Sequence, residues 1–135
     1  MACLLLSANG MERNTVALGR LVIDCVTQKD ALDAVDALVD ERQGGFVVTP
    51  NVDHLVLVQR DRAVRQAFRQ ARLSLADGQP LVWMTRALGT PVPEKISGSD
   101  FIEPLMARAA IRSRRVFFFG ATPAIAAEAE RRLVA

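Results

Sequence analysis

Three short polar clusters carry residue types suited to binding or activating a hydroxylated or phosphorylated ligand, and each directly follows an apolar run. Thr49-Pro50-Asn51 follows Phe46-Val47-Val48, Asp77-Gly78-Gln79 follows Leu73-Ser74-Leu75-Ala76, and Gly120-Ala121-Thr122 follows Val116-Phe117-Phe118-Phe119. Asp77 is the most informative of these residues. A carboxylate at the end of a buried strand is partly withdrawn from water, which suits a general base. Thr49 and Asn51 offer the donors and acceptors that sugar hydroxyls or an acetamido group require. Each has a plainer reading. Asp77 can cap the helix that Pro80 opens or form an Asx-turn with the Gly78 amide, and Thr49 and Asn51 can cap a helix starting at Val52. Position alone puts the caps ahead; the shared rim argues for a site.

Ser97-Gly98-Ser99-Asp100 resembles a phosphate cradle, with a permissive glycine, two hydroxyls and free amides at a helix start. It is also a serviceable cap, and Asp100 would repel a phosphate, so its side chain is expected to point away or serve structure. Gly120-Ala121-Thr122-Pro123 is a turn of the same kind. Neither G-x-G-x-x-G nor G-x-x-x-x-G-K-[ST] occurs, against a dinucleotide-binding or P-loop enzyme. His54 is the only histidine, and Cys3 and Cys25 are far apart, so no metal site is expected and His54 reads as a partly buried structural residue. Without a second histidine or a serine elbow, a hydrolase triad is a poor candidate. Trp83 reads as core, and Arg112, Arg114 and Arg115 as solvating a helix end.

The elements that must position these residues follow from periodicity. Residues 1 to about 12 show no period and read as a loose leader. Asn14 to Asp24 reads as two short strands bent at Gly19. Thr27 caps a helix whose apolar positions are Ala31, Leu32, Val35, Leu38 and Val39, ending at Gly44-Gly45. Phe46–Thr49 and Leu73–Ala76 are candidate strands, separated by helices starting at Val52 and near Asp61. Pro80 opens a further helix, residues 89–98 form a loop, and another helix runs from about Ser99 to Ser113, with Pro104 expected near its first turn. Val116–Phe119 is the clearest buried strand, and Thr122-Pro123 starts the last helix. This alternation predicts an α/β fold: a Rossmann-like, mostly parallel sheet with helices on both faces, in one domain over residues 13–135.

Composition adds exclusions. Seventeen basic against 15 acidic residues leave a formal charge of +2, with 24% charged and 50% apolar side chains. That charge gives little footing for nucleic acid, and no helix carries a basic stripe, so no nucleic-acid partner is expected. Only Lys29 and Lys95 are lysines among the basic residues. Two distant cysteines suit a reduced, cytoplasmic setting, and no apolar stretch approaches the roughly 18 residues a bilayer span needs. The last helix is still in mid-pattern at Leu133-Val134-Ala135, as in a piece of a longer chain, and an open sheet edge would favour self-association into a homo-oligomer.

Thr49-Pro50-Asn51-Val52-Asp53-His54, Ala76-Asp77-Gly78-Gln79-Pro80 with Trp83, Ser97-Gly98-Ser99-Asp100 and Phe118-Phe119-Gly120 occur in that order. From about residue 14 onward the chain resembles the WecG/TagA/CpsF family of bacterial glycosyltransferases. The resemblance implies an inverting, metal-independent enzyme at the inner face of the plasma membrane, touching it peripherally. It would move a sugar, often of the N-acetylmannosamine type, from a UDP-sugar to a polyprenyl-diphosphate-linked sugar in surface-polysaccharide synthesis. The UDP-sugar is the donor substrate, and no cofactor is implied. Asp77 falls on the family's proposed base. Thr49, Asn51, Gln79, Lys95, Ser97, Gly98, Ser99, Gly120 and Thr122 are the corresponding substrate-binding candidates. Lys95 stands where the family usually has arginine, keeping the charge without the planar fork. Family members continue further, with sheet, helices and an arginine-bearing appendage. The competing expectation is a non-catalytic, truncated module that binds a nucleotide-sugar or assembles with partners.

Overall fold

The computed structural model describes residues 4–8, 11–120 and 122–134. In chain order the elements are β1 (Leu4–Ala8), β2 (Met11–Leu18), β3 (Leu21–Asp24), α1 (Gln28–Asp40), β4 (Val47–Val48), α2 (Val52–Arg60), α3 (Arg62–Gln70), β5 (Leu73–Ser74), α4 (Gln79–Ala87), α5 (Gly98–Ile111) and α6 (Pro123–Val134). They fall into two compact units, Met1–Phe101 and Ile102–Ala135.

In the first unit β1, β2 and β3 form an antiparallel sheet. Leu18 pairs with Leu21 across a turn in which Gly19 takes φ +60°, a conformation glycine adopts without a Cβ penalty. Alternation then sends Val16, Leu18, Leu21 and Ile23 into the core, where they join Val58, Leu81, Val82 and Val92. Residues 4–8 and 11–12, read from sequence as leader, are strand in this sheet. An apolar run without alternation gives no strand signal of its own; the neighbouring backbone supplies the pairing.

A buried ion pair ties this sheet to β5. Arg13 Nε donates to Asp24 Oδ1 at 2.8 Å, Arg13 Nη2 pairs with Asp24 Oδ2, and the Ser74 amide donates to Asp24 Oδ2 at 2.7 Å. Arg13 Nη1 also reaches the Ala71 carbonyl at 3.0 Å. The Asp24 side chain is 2% exposed, so its remaining lone pairs have to be met inside the protein, as they are here.

Thr27 caps α1 in a reciprocal capping box with Asp30. The helix ends before the Gly44-Gly45 pair predicted to stop it. Gln43 N–H bonds to Leu38 O and Arg42 N–H to Val39 O, at 2.9 and 3.1 Å, with Arg42 at φ +55°. This is a Schellman ending with arginine in the place glycine usually takes. Trp83, expected in the core, is 61% exposed: α4 turns Leu81, Val82 and Thr85 inward, and Trp83 lies off that face.

Val47 and Val48 of β4 pair in parallel with Leu73 and Ser74 of β5. With the antiparallel sheet, the described strands make a mixed α/β fold, where a mostly parallel doubly wound sheet was expected. The short turn at Gly19 makes β2 and β3 antiparallel. Residues 116–119 form no strand, which overturns the clearest sequence prediction. Phe117 and Phe119 are 86% and 97% exposed; apolarity creates a preference for burial, but a strand also requires a paired backbone.

Helix α5 holds Pro104 in its interior rather than near its first turn. A proline there leaves the carbonyl four residues back without its helical donor. That carbonyl, of Asp100, accepts from Gln28 Nε2 at 3.3 Å. In the second unit, α5 ends in another Schellman turn with Ser113 at φ +51°. Glu128 of α6 pairs with Arg131 and Arg132, which hold its carboxyl below the usual range.

Candidate active site

The site grows from the carboxyl ends of β4 and β5, where the pairing continues past both strands. Leu75 N–H donates to Val48 O at 2.8 Å and Asp77 N–H to Pro50 O at 2.9 Å. On the other side of β5, Ile96 N–H donates to Ala76 O at 2.9 Å. Three segments therefore meet: Thr49–Asn51, Ala76–Gly78 and Lys95–Gly98. The third was legible only as a phosphate-cradle motif. The signal that it also packs beside β5 lay in Ile96, an apolar residue within a proline-rich loop and 1% exposed.

Asp77 is half-buried. It does not cap α4: the N-cap is Gly78, at φ +108° and ψ 142°, and α4 receives no side-chain cap bond. This backbone conformation belongs essentially to glycine. Among the described residues the Asp77 carboxylate has no hydrogen bond or ion pair within the fold, so neither structural reading of it, the cap or the Asx-turn, is realised.

The other predicted residues divide by what their side chains already do. Asn51 is the N-cap of α2, accepting from the Asp53 and His54 amides at 3.0 and 3.2 Å. His54 closes that box: its Nδ1 lies 3.3 Å from the Asn51 amide, and its ring packs at 5.5 Å on Phe68. Ser97 is buried and caps α5, accepting from the Asp100 amide at 3.2 Å, with Ser99 Oγ 3.0 Å from Ser97 Oγ. For Asn51 and Ser97, capping is thus what the side chains do. Thr49 and Gln79 are different: among the described residues neither side chain makes a hydrogen bond. Gln79 is exposed in the first turn of α4, and Thr49 is half-buried. Thr49 faces Gly98 closely enough that a Cβ on that glycine would lie 3.4 Å from Thr49 Oγ1.

Lys95 brings the positive charge. Its Nζ donates to Asp100 Oδ2 at 2.7 Å. The hydrogen bond and charge of Asp100 raise the Lys95 pKa, and the charge of Asp77 adds to the effect. Asp100 is correspondingly held below the usual carboxylate range by Lys95 and by Ser97. Asp100 thus fixes the ammonium, a structural role for the residue that would otherwise repel a phosphate. Gly120, at φ +103°, and Thr122, whose carbonyl accepts from the Ala126 amide at 3.0 Å, belong to the second unit. The residues described above around Asp77 belong to the first unit. No strand precedes Gly120, so the third of the strand-end clusters read from sequence does not form as such.

An uncommitted carboxylate, a free hydroxyl and a fixed ammonium at the ends of parallel strands form an arrangement suited to polar transfer chemistry. The chain belongs to the WecG/TagA/CpsF family of glycosyl transferases, whose profile matches residues 16–135. It is also 28% identical over 95 residues to the N-acetylglucosaminyldiphosphoundecaprenol N-acetyl-beta-D-mannosaminyltransferase of Bacillus spizizenii (strain ATCC 23059 / NRRL B-14472 / W23). That match covers 70% of this chain and 37% of the relative's length.

Proposed function

We propose that this chain carries the base-bearing half of an inverting glycosyltransferase site. It would move an N-acetylmannosamine-type sugar from a UDP-sugar to a polyprenyl-diphosphate-linked sugar. The observation that carries the reading is Asp77: a half-buried carboxylate with no structural bond among the described residues, beside the segment that carries Lys95, since Ile96 N–H donates to Ala76 O. The family membership supports the reaction class, and the similarity to the Bacillus spizizenii mannosaminyltransferase supports a mannosaminyl group and a lipid-linked diphosphate acceptor.

In this reading the acceptor hydroxyl oxygen attacks the anomeric carbon of the donor while its proton passes to the Asp77 carboxylate. The bond from the anomeric carbon to the diphosphate oxygen breaks, and the diphosphate leaves with the electron pair. The Lys95 ammonium and the amides at the start of α5 offset the charge that develops on it. Thr49 and Gln79, with free side chains, orient sugar hydroxyls. Asn51, Ser97, Gly98 and Ser99 hold the backbone around Asp77, and no metal ion has a step in the scheme.

In this reading a nucleotide-sugar donor and a lipid-linked acceptor would meet at the inner face of the plasma membrane. Among the described residues no helix is long and apolar enough to cross a membrane, which fits peripheral contact. Incubating the protein with UDP-N-acetylmannosamine and a short-chain polyprenyl-diphosphate acceptor tests the proposal. Transfer to the acceptor with inversion at the anomeric carbon is expected, and UDP release that requires no acceptor would contradict it.

A further inference from the structure

A cavity of about 700 Å³ lies at the amino ends of β4 and β5, opposite Asp77. Its size falls in the range of small-molecule sites, on the order of 300–1,000 Å³. Its walls are apolar where α1 presents Ala34 and Leu38 and where Phe46 enters β4, and they are cationic where Arg69 and Arg72 reach it.

Arg72 is fixed in place. A Cβ on Gly45 would lie only 2.4 Å from Arg72 Cγ, so the glycine makes room for the arginine stem. The Arg72 amide donates to Phe46 O at 2.9 Å, and its Nε to Gly44 O at 3.4 Å. Its terminal nitrogens have no partner among the described residues, and neither does the Arg69 guanidinium. Helix α3 contains no acidic residue to offset them, and Glu41 of the lining bonds to Gln43 Nε2 at 2.6 Å. Arg13 also lines the cavity but is committed to Asp24.

We infer that this cavity binds a phosphate ester with an apolar body, the phosphate lying between the Arg69 and Arg72 guanidinium groups and the body against Ala34, Leu38 and Phe46. Two guanidinium groups without internal partners suit a doubly charged head that can accept several charge-assisted hydrogen bonds. The apolar walls favour an ester over the free ion. Isoprenyl phosphates and nucleoside monophosphates share this chemistry. The inference does not rest on the transferase reading, because the cavity and Asp77 lie at opposite ends of the same strands.

Calorimetric titration of the protein with geranyl phosphate, uridine monophosphate and inorganic phosphate tests the site. At least one ester should bind saturably and more tightly than inorganic phosphate. The affinity should fall at least tenfold in Arg72→Gln and in Arg69→Gln, and should be unchanged in Asp77→Asn. Thermal melts of each variant show that the fold is kept. Geranyl phosphate binding alone identifies a lipid-type ester, and uridine monophosphate binding alone a nucleotide. The inference is overturned if neither ester saturates, if inorganic phosphate binds as well as the esters, or if both arginine variants leave affinity intact. Loss of binding in Asp77→Asn also overturns it, since that result places the phosphate beside Asp77.

Discussion

The main-chain amide of Asp77 donates to the Pro50 carbonyl at 2.9 Å, so a backbone bond ties the residue that bears the carboxylate to the Thr49–Asn51 turn. The side chain itself is left free, because the next residue, Gly78, serves as the helix cap through its backbone alone. Structure and proposed chemistry are thereby separated within two consecutive residues.

Gly78→Ala tests that separation. At φ +108° a Cβ strains the backbone, and nothing but Pro80 Cδ lies within 4 Å of it, so the cost is conformational rather than a clash. A loss of about 1–3 kcal/mol is expected in urea unfolding, together with reduced transfer as Asp77 is displaced. Stability equal to that of the unsubstituted protein would contradict the strained turn.

Asp24→Ala leaves the Arg13 guanidinium, whose side chain is 15% exposed, and the buried Ser74 amide without their acceptor. Breaking a buried pair by removing one partner costs about 3–5 kcal/mol. Chemical denaturation should show a loss of that size, and one below about 1 kcal/mol would mean that the β3–β5 bridge contributes little.

Thr49→Val keeps the β-branched shape and removes a hydroxyl that has no partner among the described residues. Its unfolding free energy should stay within about 0.5 kcal/mol of the parent, while KM for the donor or acceptor rises. Unchanged kinetics would remove Thr49 from substrate binding.

Lys95 sets a pH expectation. Its pKa is raised, first by the hydrogen bond to Asp100, so its charge is fully present below the ordinary lysine value of about 10.4 and is lost only as pH rises through the higher folded value. Asp100 is lowered, so the pair persists above the ordinary carboxylate value and is lost only as pH falls through the lower folded one. Binding of UDP that depends on Lys95 should therefore stay level between pH 7 and about 10. Asp100→Asn should make it fall earlier on the alkaline side, a shift readable by calorimetry across that window.

Much of the first unit could be read from residue patterns. Thr27, Asn51 and Pro80 each mark a helix start with local chemistry, and those helices begin where the capping residues predict. The runs around Val47-Val48 and Leu73-Ser74 were legible as strands, and with them the cluster at their ends; β5 is buried as expected, while Val47 and Val48 are only half-buried. Three features escaped. Strand β1 has no alternation to reveal it. The Phe117-Phe118-Phe119 run has the composition of a strand without the paired backbone that makes one. The Arg13–Asp24 bridge joins residues whose meeting depends on the sheet's register, which no local spacing encodes. At the site, Asp77, Thr49 and Lys95 were identifiable by type and position, but the sequence did not show which polar residues were already used. Asn51 and Ser97 spend their hydrogen bonds on helix caps, and Asp100 on Lys95; only coordinates separate these from the side chains left free.

The proposed transfer depends on the Asp77 carboxylate acting as the proton acceptor, and the most direct test is the turnover of Asp77→Asn beside the unsubstituted protein. Sugar transfer to a polyprenyl-diphosphate acceptor is measured for both, with circular dichroism and melting temperature confirming equal folding. Because the Asp77 side chain makes no bond among the described residues, the fold should be unaffected, while loss of the base should lower kcat about 10²- to 10⁴-fold. Turnover in Asp77→Asn equal to that of the parent would contradict the assignment.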